Sequence, residues 1–229
     1  KPDTIEASLT MAKPDSGAPL TITTTSPPDA ENTGNTLDAV AGGDGSAIGP
    51  EVEAGFKPGV PGDLLPLARE AKDSFDRGKY KEAEQQYQEI LAKSPNNLYS
   101  LSNLGVVFFR NGKLKAAELT LKKAIAIAPR DEFTHTTLGI VYYRQDKFDD
   151  ALSELTKSLA INPKSATAHN YLGITASQKG WQEAAEKEML EAIANNPNYA
   201  DADFNLAVGY STSPPPAKEL ARPHYETAR

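Results

Sequence analysis

The chain has 229 residues, of which 39% are hydrophobic, so it is long enough for one or two globular domains. Its formal charge of −7 at pH 7 disfavours a nucleic-acid-binding protein, since such proteins normally carry a basic surface. The absence of cysteine excludes disulfides and thiolate metal sites.

The first 62 residues differ in composition from the rest of the chain. They contain eight of the 17 prolines and nine of the 16 glycines, and three lysines against nine acidic residues give them a net charge of −6. Such a segment buries too little apolar surface to offset the entropy of ordering it. We therefore expect a mostly disordered, low-complexity acidic arm or linker over 1–62. A spacer is the default interpretation, and the alternative is that the arm occupies the protein's own binding surface. A tether of this composition favours an exported or periplasmic bacterial protein, although the sequence otherwise leaves the localisation open.

From Asp63 onward, the sequence repeats with a period of 34 residues. The period is marked by Pro95, Pro129, Pro163 and Pro197. The blocks span 64–97, 98–131, 132–165 and 166–199, and 200–229 resembles a partial fifth block with a longer central turn. Each full block has apolar residues at helical spacing and a turn signal near its middle, at Gly78, Gly112, Asp146 and Gly180. The pattern predicts two antiparallel helices per block, helix A over roughly the first 14 places and helix B over roughly places 15 to 30.

Small residues recur at the eighth place of every block. They are Ala71, Gly105, Gly139, Gly173 and Ala207. Glycine inside a helix costs about 1 kcal/mol relative to alanine, so its repeated use indicates close packing rather than a flexible kink. We expect the alanine twelve places later to face the gap that the small residue leaves. Those alanines are Ala83, Ala117, Ala151 and Ala185.

The combined pattern is Leu-Gly, an aromatic residue three places later, the alanine, a large residue at the twenty-fourth place and the proline. It resembles the tetratricopeptide repeat (TPR) family. The resemblance implies an all-α fold in which antiparallel helix pairs stack into a right-handed superhelix, with helix A of each pair lining a concave groove. One departure is the fourth place, often tryptophan in the family. It holds Leu67, Leu101, His135 and His169 here.

The resemblance also places five positions of each helix A in the groove. The candidate peptide-binding residues are Tyr99, Ser102, Val106, Phe109, Arg110, Phe133, Thr136, Ile140, Tyr143, Arg144, Asn170 and Ile174. Because aromatic and arginine side chains are common interface anchors, we expect a partner segment with apolar side chains and one or two carboxylates. The alternative is that Phe109 and Tyr143 pack between repeats. In that case Arg110 and Arg144 are solvated residues at helix ends.

The sequence lacks a recognisable catalytic motif, phosphate-binding loop or metal-ligand spacing. We expect His135 and His169 to lie about 10 Å apart on adjacent helices, too far for one metal ion, and to serve in packing. No stretch approaches the roughly 18 apolar residues of a membrane span, so direct membrane insertion is not expected.

The leading hypothesis is a non-catalytic interaction module that needs no cofactor and binds another protein or peptide segment in its groove. A second hypothesis is a structural scaffold or assembly subunit that works through its ends and convex face. It includes self-association through the arm or the repeat ends. A third is a regulatory arm of a larger enzyme.

Overall fold

A computed structural model describes residues 59–212 and 218–228, and these residues are all-α, which confirms the predicted fold class. A 3-10 turn at Gly62–Leu64 precedes ten α-helices within the described ranges. They are α1 Leu65–Asp76, α2 Tyr80–Lys93, α3 Leu98–Arg110, α4 Leu114–Ile127, α5 Glu132–Arg144, α6 Phe148–Ile161, α7 Ala166–Gln178, α8 Gln182–Asn195, α9 Ala200–Thr212 and α10 Lys218–Thr227. The predicted arm over 1–62 lies outside the described residues up to residue 58.

The described residues form two compact units. The first unit, 59–161, contains helices α1 to α6, and each helix packs against its neighbours in the chain. Helix A of the second block, α3, also contacts helix A of the third, α5. The second unit, 162–212 with 218–228, contains α7 to α10, and α7 contacts both α8 and α9. Each unit therefore brings helices A of consecutive blocks side by side.

The last place of a block caps the next helix A. Asn97 accepts a hydrogen bond from the Ser100 amide (2.9 Å), and Asp131 accepts one from the Thr134 amide (3.0 Å). Ser165 does the same for Ala168 at 3.4 Å. Each side chain satisfies an amide that the first turn of a helix leaves without a backbone acceptor. This explains why α3, α5 and α7 begin at the first place of their blocks.

The small residue at the eighth place receives the large residue at the twenty-fourth. A Cβ atom on Gly139 would lie 2.6 Å from Leu155 Cγ, and one on Gly105 would lie 2.5 Å from Leu121 Cδ2. The predicted close approach of the two helices is therefore present. The nearest contact differs from our expectation, because the twentieth-place alanine approaches with its backbone and the larger side chain fills the gap. For Gly139, the Ala151 carbonyl oxygen would lie 3.4 Å away.

The turn between helices A and B needs a left-handed residue. Gly112 has φ 70°, and Asp146 has φ 58° at the equivalent place. A Cβ on Gly112 would meet no atom within 4 Å, so any cost of a side chain there comes from the backbone alone. Aspartate tolerates this conformation better than alanine because its short polar side chain can bond locally.

We expect Gly112→Ala to lower the free energy of unfolding by about 1–2 kcal/mol. Asp146→Gly should change it by no more than about 0.5 kcal/mol, because relief of the left-handed strain offsets the added chain entropy. Urea unfolding followed by circular dichroism measures both. Equal losses for the two variants would contradict this account of the turn.

Candidate functional site

The candidate site of the first unit lies on one face of α3 and the equivalent face of α5. On α3, Tyr99, Phe109 and Arg110 are partly accessible, while Ser102 and Val106 are buried. At 100° per residue, these five positions fall within about 100° of the helix circumference. Spacing alone therefore predicts their direction, and the packing decides which of them reach the surface.

Five of the twelve predicted residues are buried. Ser102, Val106, Thr136, Ile140 and Asn170 are each at most 4% exposed. The Ser102 hydroxyl shares a hydrogen bond with the Thr134 hydroxyl (2.9 Å), which joins α3 to α5. The Thr136 hydroxyl bonds Ser158 (2.6 Å) and donates to Glu132 (3.0 Å). In the first unit the surface is thus narrower than predicted, because an aliphatic ladder through Val106 and Ile140 belongs to the core.

The accessible part of this face is formed by aromatic rings and arginine. We name five of its side chains the aromatic–arginine surface: Tyr99, Phe109, Phe133, Tyr143 and Arg144. Arg110 is also partly accessible but is not included in it. The exposed Arg144 guanidinium lies over the Phe109 ring, 5.7 Å from its centroid, so residues of α3 and α5 meet. The four aromatic residues are half-buried and pack against the core of the unit. Their inner edges are therefore fixed while their outer edges are open.

Two further contacts orient the rings of this surface. The Tyr143 ring packs against Phe148 of α6 (centroids 6.0 Å apart), and the Tyr99 ring packs edge-on against Tyr87 of α2 (6.2 Å). Burial raises the pKa of the Tyr99 and Tyr143 hydroxyls, so both rings are neutral at physiological pH. Sequence reasoning missed Tyr87 and Phe148, because neither lies on a helix A.

The two predicted residues of the second unit are held by its packing. Asn170 donates to the Tyr199 hydroxyl (3.4 Å) and accepts from the Asn205 amide (3.0 Å), so it joins α7 to α9. Ile174 is half-buried against the core of this unit. The signal for the Asn170–Asn205 pair was a separation of 35 residues, one more than the period, which places the two side chains on adjacent helices A.

The histidines at the fourth place are held by acceptors on both ring nitrogens. His135 Nδ1 bonds Glu154 of α6 (2.6 Å), and its Nε2 bonds the Pro129 carbonyl (3.0 Å). His169 Nδ1 bonds Glu188 of α8 (2.7 Å), and its Nε2 bonds the Pro163 carbonyl (3.0 Å). Across 59–212 and 218–228, no group of three or more histidine, aspartate or glutamate residues is placed to hold a metal ion.

A sequence profile described as tetratricopeptide repeat matches residues 69–132 and 136–200, which are 64 and 65 residues and together 129 of the 229. The chain belongs to the tetratricopeptide repeat family. TPR proteins are typically non-catalytic modules for protein–protein interaction. No curated protein sequence matches this TPR chain.

Solved TPR structures match the chain along most of their length. TTC0263, a thermophilic TPR protein in Thermus thermophilus, matches with a TM-score of 0.64 and 22% identity over 72% of this chain and 89% of that chain. MamA (41-end) from Desulfovibrio magneticus RS-1 matches with a TM-score of 0.63 and 18% identity over 74% and 94%. Another crystal structure of MamA matches with a TM-score of 0.59 and 22% identity, over 69% of this chain and 91% of that chain. At these identities the likeness establishes the TPR fold.

The second TPR unit carries a separate hollow that sequence reasoning missed. It has a volume of about 740 Å³ and lies between α9 and α10, lined by Phe204, Ser211, Lys218, Ala221, Arg222 and Tyr225 among others. The exposed Phe204 ring meets Tyr225 edge-on at 6.0 Å. Each helix in the described residues is too short or too polar to cross a membrane.

Proposed function

We propose that this TPR protein binds a segment of a partner protein on the aromatic–arginine surface. One observation carries the proposal: the exposed Arg144 guanidinium of α5 lies over the Phe109 ring of α3. Aromatic rings and arginine are the side chains most enriched among residues that dominate binding energy at protein interfaces. Rings that are already half-buried also lose little conformational freedom on binding.

The chemistry of the surface favours a partner segment that combines apolar and acidic side chains. Arg144 presents a planar guanidinium that can bond a carboxylate in two places, and its position over Phe109 restricts its motion. Tyr99 and Phe109 stand ten residues apart on α3, so the surface extends for about 15 Å along that helix. An extended peptide covers that distance with about five residues.

We also propose that the protein is not an enzyme. The histidines that would be the first candidates for acid–base chemistry, His135 and His169, are engaged by carboxylate and carbonyl acceptors inside the helix pairs. The two tyrosines of the aromatic–arginine surface, Tyr99 and Tyr143, have raised pKa values, so neither hydroxyl is ionised at neutral pH to act as a nucleophile or general base. Its side chains are suited to recognition.

The proposal is tested by selecting binders from a phage-displayed library of random peptides and measuring the affinities of the synthesised peptides by fluorescence anisotropy. We expect the selected sequences to combine aromatic or aliphatic residues with an acidic residue. Phe109→Ala and Arg144→Ala should each weaken binding about tenfold or more. Arg144→Lys should also weaken it, because lysine keeps the charge but lacks the planar group.

A matched control is available in Arg130, an exposed arginine in the turn between α4 and α5. Arg130→Ala removes the same charge as Arg144→Ala and should leave the affinities unchanged within about twofold. If all the peptides bound Phe109→Ala and Arg144→Ala as tightly as the unaltered protein, the surface would be rejected as the binding site.

A further inference from the structure

The fourth and twenty-third places of a block face each other across a helix pair. In the third block they are His135 and Glu154, and in the fourth they are His169 and Glu188. The two pairs have nearly the same geometry, with Nδ1–carboxylate distances of 2.6 and 2.7 Å and Nε2–carbonyl distances of 3.0 Å in both. A contact that recurs at the same two places of successive blocks is a feature of the repeat.

The fifth block carries the same pair with its two members exchanged. Asp203 occupies its fourth place, and the Asp203 carboxylate bonds His224 Nδ1 at 2.7 Å. His224 would stand at the twenty-fifth place, but the turn of this block is two residues longer, so it occupies the structural equivalent of the twenty-third. The histidine and the carboxylate have changed helices while the contact is kept. This supports the interpretation that these two places form a pairing position.

The first two blocks have non-ionisable residues at both places. They hold Leu67 with Gln86 and Leu101 with Thr120. Leucine at the fourth place thus accompanies an uncharged partner, and histidine accompanies glutamate. The chain contains its own reference blocks, in which the TPR helix pair forms without a titratable contact.

The hydrogen bonds of His135 and His169 require two ring protons. A backbone carbonyl oxygen and an ionised carboxylate only accept hydrogen bonds, so each ring must donate from both nitrogens. Only the imidazolium carries a proton on each nitrogen. When the ring becomes neutral, one of the two acceptors loses its donor, and the helix pair loses the stability that this charge-assisted hydrogen bond contributed.

We propose that the histidine–glutamate pairs of the third and fourth blocks are pH-dependent latches, which hold helix B of the block to the turn before helix A only while the histidine is protonated. The latch joins α6 to the turn before α5 through His135, and α8 to the turn before α7 through His169. It is independent of the proposed peptide binding, since it acts on the stability of the helix pair.

The charges around His135 favour its protonated form. Burial opposes the charge, but the bonds to Glu154 and the Pro129 carbonyl outweigh it and raise the pKa of His135, while Lys157 of α6 acts in the opposite sense. At the start of α5, the capping residue Asp131 bonds Thr134, and Glu132 bonds Thr136. From α4, the Lys122 ammonium lies over the Tyr142 ring.

His169 is placed in the same way. Burial opposes its charge, but the bonds to Glu188 and the Pro163 carbonyl raise its pKa, and Glu191 of α8 acts in the same direction. Of the carboxylates on α9, Asp203 is bonded to His224, and burial raises the pKa of Asp201.

The direction in which stability changes with pH follows from the raised pKa values of His135 and His169. A histidine whose pKa is higher in the folded state contributes its full stability below the unfolded value of about 6.5, and that contribution is lost as the pH rises through the folded value. The pKa of Glu154 is lowered, because burial is outweighed by the bonds to His135 and Lys157. Its contribution is therefore complete only above the unfolded value of about 4.3. Between these limits both partners of the latch are charged.

Two measurements on the whole chain test the latch. In nitrogen-15 NMR spectra of the imidazoles, His135 and His169 should be mostly protonated on both nitrogens at about pH 6.5, where a free histidine is about half neutral. Hydrogen exchange, corrected for the intrinsic pH dependence of amides, should show protection in α5–α6 and α7–α8 falling by up to tenfold per pH unit above about pH 6.5. Protection in α1–α2 should not fall for this reason.

A double variant provides the control. His135→Leu with Glu154→Thr copies the pair of the second block, so the helix pair has a non-titrating contact that already occurs in this chain. The pH dependence should disappear from α5–α6 and persist in α7–α8. If it persisted in α5–α6, or if the NMR spectra showed neutral rings at about pH 6.5, the latch would be rejected.

Discussion

Gly139→Ala will destabilise the third repeat, although alanine normally stabilises a helix interior by about 1 kcal/mol relative to glycine. The new Cβ would lie 2.6 Å from Leu155 Cγ and 2.9 Å from its Cδ2. Overpacking of this kind costs about 1–3 kcal/mol, which exceeds or cancels the gain in helix propensity. Leu155→Ala alone should cost about 2–5 kcal/mol, because it removes a fully buried side chain and leaves a cavity.

The double variant separates packing from propensity. With Leu155 shortened to alanine, the Cβ at position 139 has room and fills part of the cavity. The combined loss should therefore be smaller than the sum of the single losses by about 1 kcal/mol or more. Urea unfolding followed by circular dichroism measures the four proteins of the cycle. An additive result would mean that Gly139 and Leu155 do not meet as described.

Gly209 in α9 is the matched control for this cycle. A Cβ there would meet no atom within 4 Å, so Gly209→Ala should stabilise the protein by up to about 1 kcal/mol. The same substitution, inside a helix of the same fold, is thus expected to have opposite signs at two positions. If Gly139→Ala were also stabilising, the small residue at the eighth place would have no packing role.

The fold could be predicted from the sequence because its main signals are local and repeated. Proline, the turn residue and the apolar spacing restrict where a helix can begin and end. Helix A of the third block was expected over the first 14 places, and α5 extends over Glu132–Arg144. Four copies in phase allow an ambiguous position in one block to be interpreted from the others.

The candidate site could be predicted only in part, because helical spacing predicts which way a side chain points but not how deeply it is buried. Val106 and Phe109 lie on the predicted face of α3, yet Val106 is 2% exposed and Phe109 is accessible. The depth of burial depends on how closely α3 and α5 approach each other, and one of the contacts that joins them is the Ser102–Thr134 hydrogen bond. Two hydroxyl residues 32 positions apart carry no signal that identifies them as a pair.

The cap at the last place of a block escaped the sequence analysis for a different reason. Asn97, Asp131 and Ser165 occupy the same place but are three different residue types, so a search for a repeated letter does not find them. Their shared property is a short side-chain oxygen acceptor that can reach the third amide of the helix. The functional equivalence becomes visible only when the hydrogen bonds are known.

Asp131→Ala is expected to be the most damaging of the cap substitutions. The buried Asp131 carboxylate accepts from the Thr134 amide at 3.0 Å and from its hydroxyl at 2.5 Å, and that hydroxyl also meets Ser102 of α3. Loss of the cap costs about 0.5–2 kcal/mol, and a buried polar group left without its partner costs about 1–3 kcal/mol. The two effects together give an expected loss of about 1.5–5 kcal/mol in the free energy of unfolding.

Ser165→Ala at the same place of the next block shows what the cap alone contributes. The Ser165 hydroxyl is 3.4 Å from the Ala168 amide, so the expected loss is about 1 kcal/mol or less. Asp131→Asn should retain most of the stability, because asparagine caps a helix as well as aspartate does. Similar losses for Asp131→Ala and Ser165→Ala would show that the Asp131–Thr134–Ser102 chain adds nothing beyond a cap. In that case the distance between α3 and α5, and with it the position of Arg144 over Phe109, would depend on apolar packing alone.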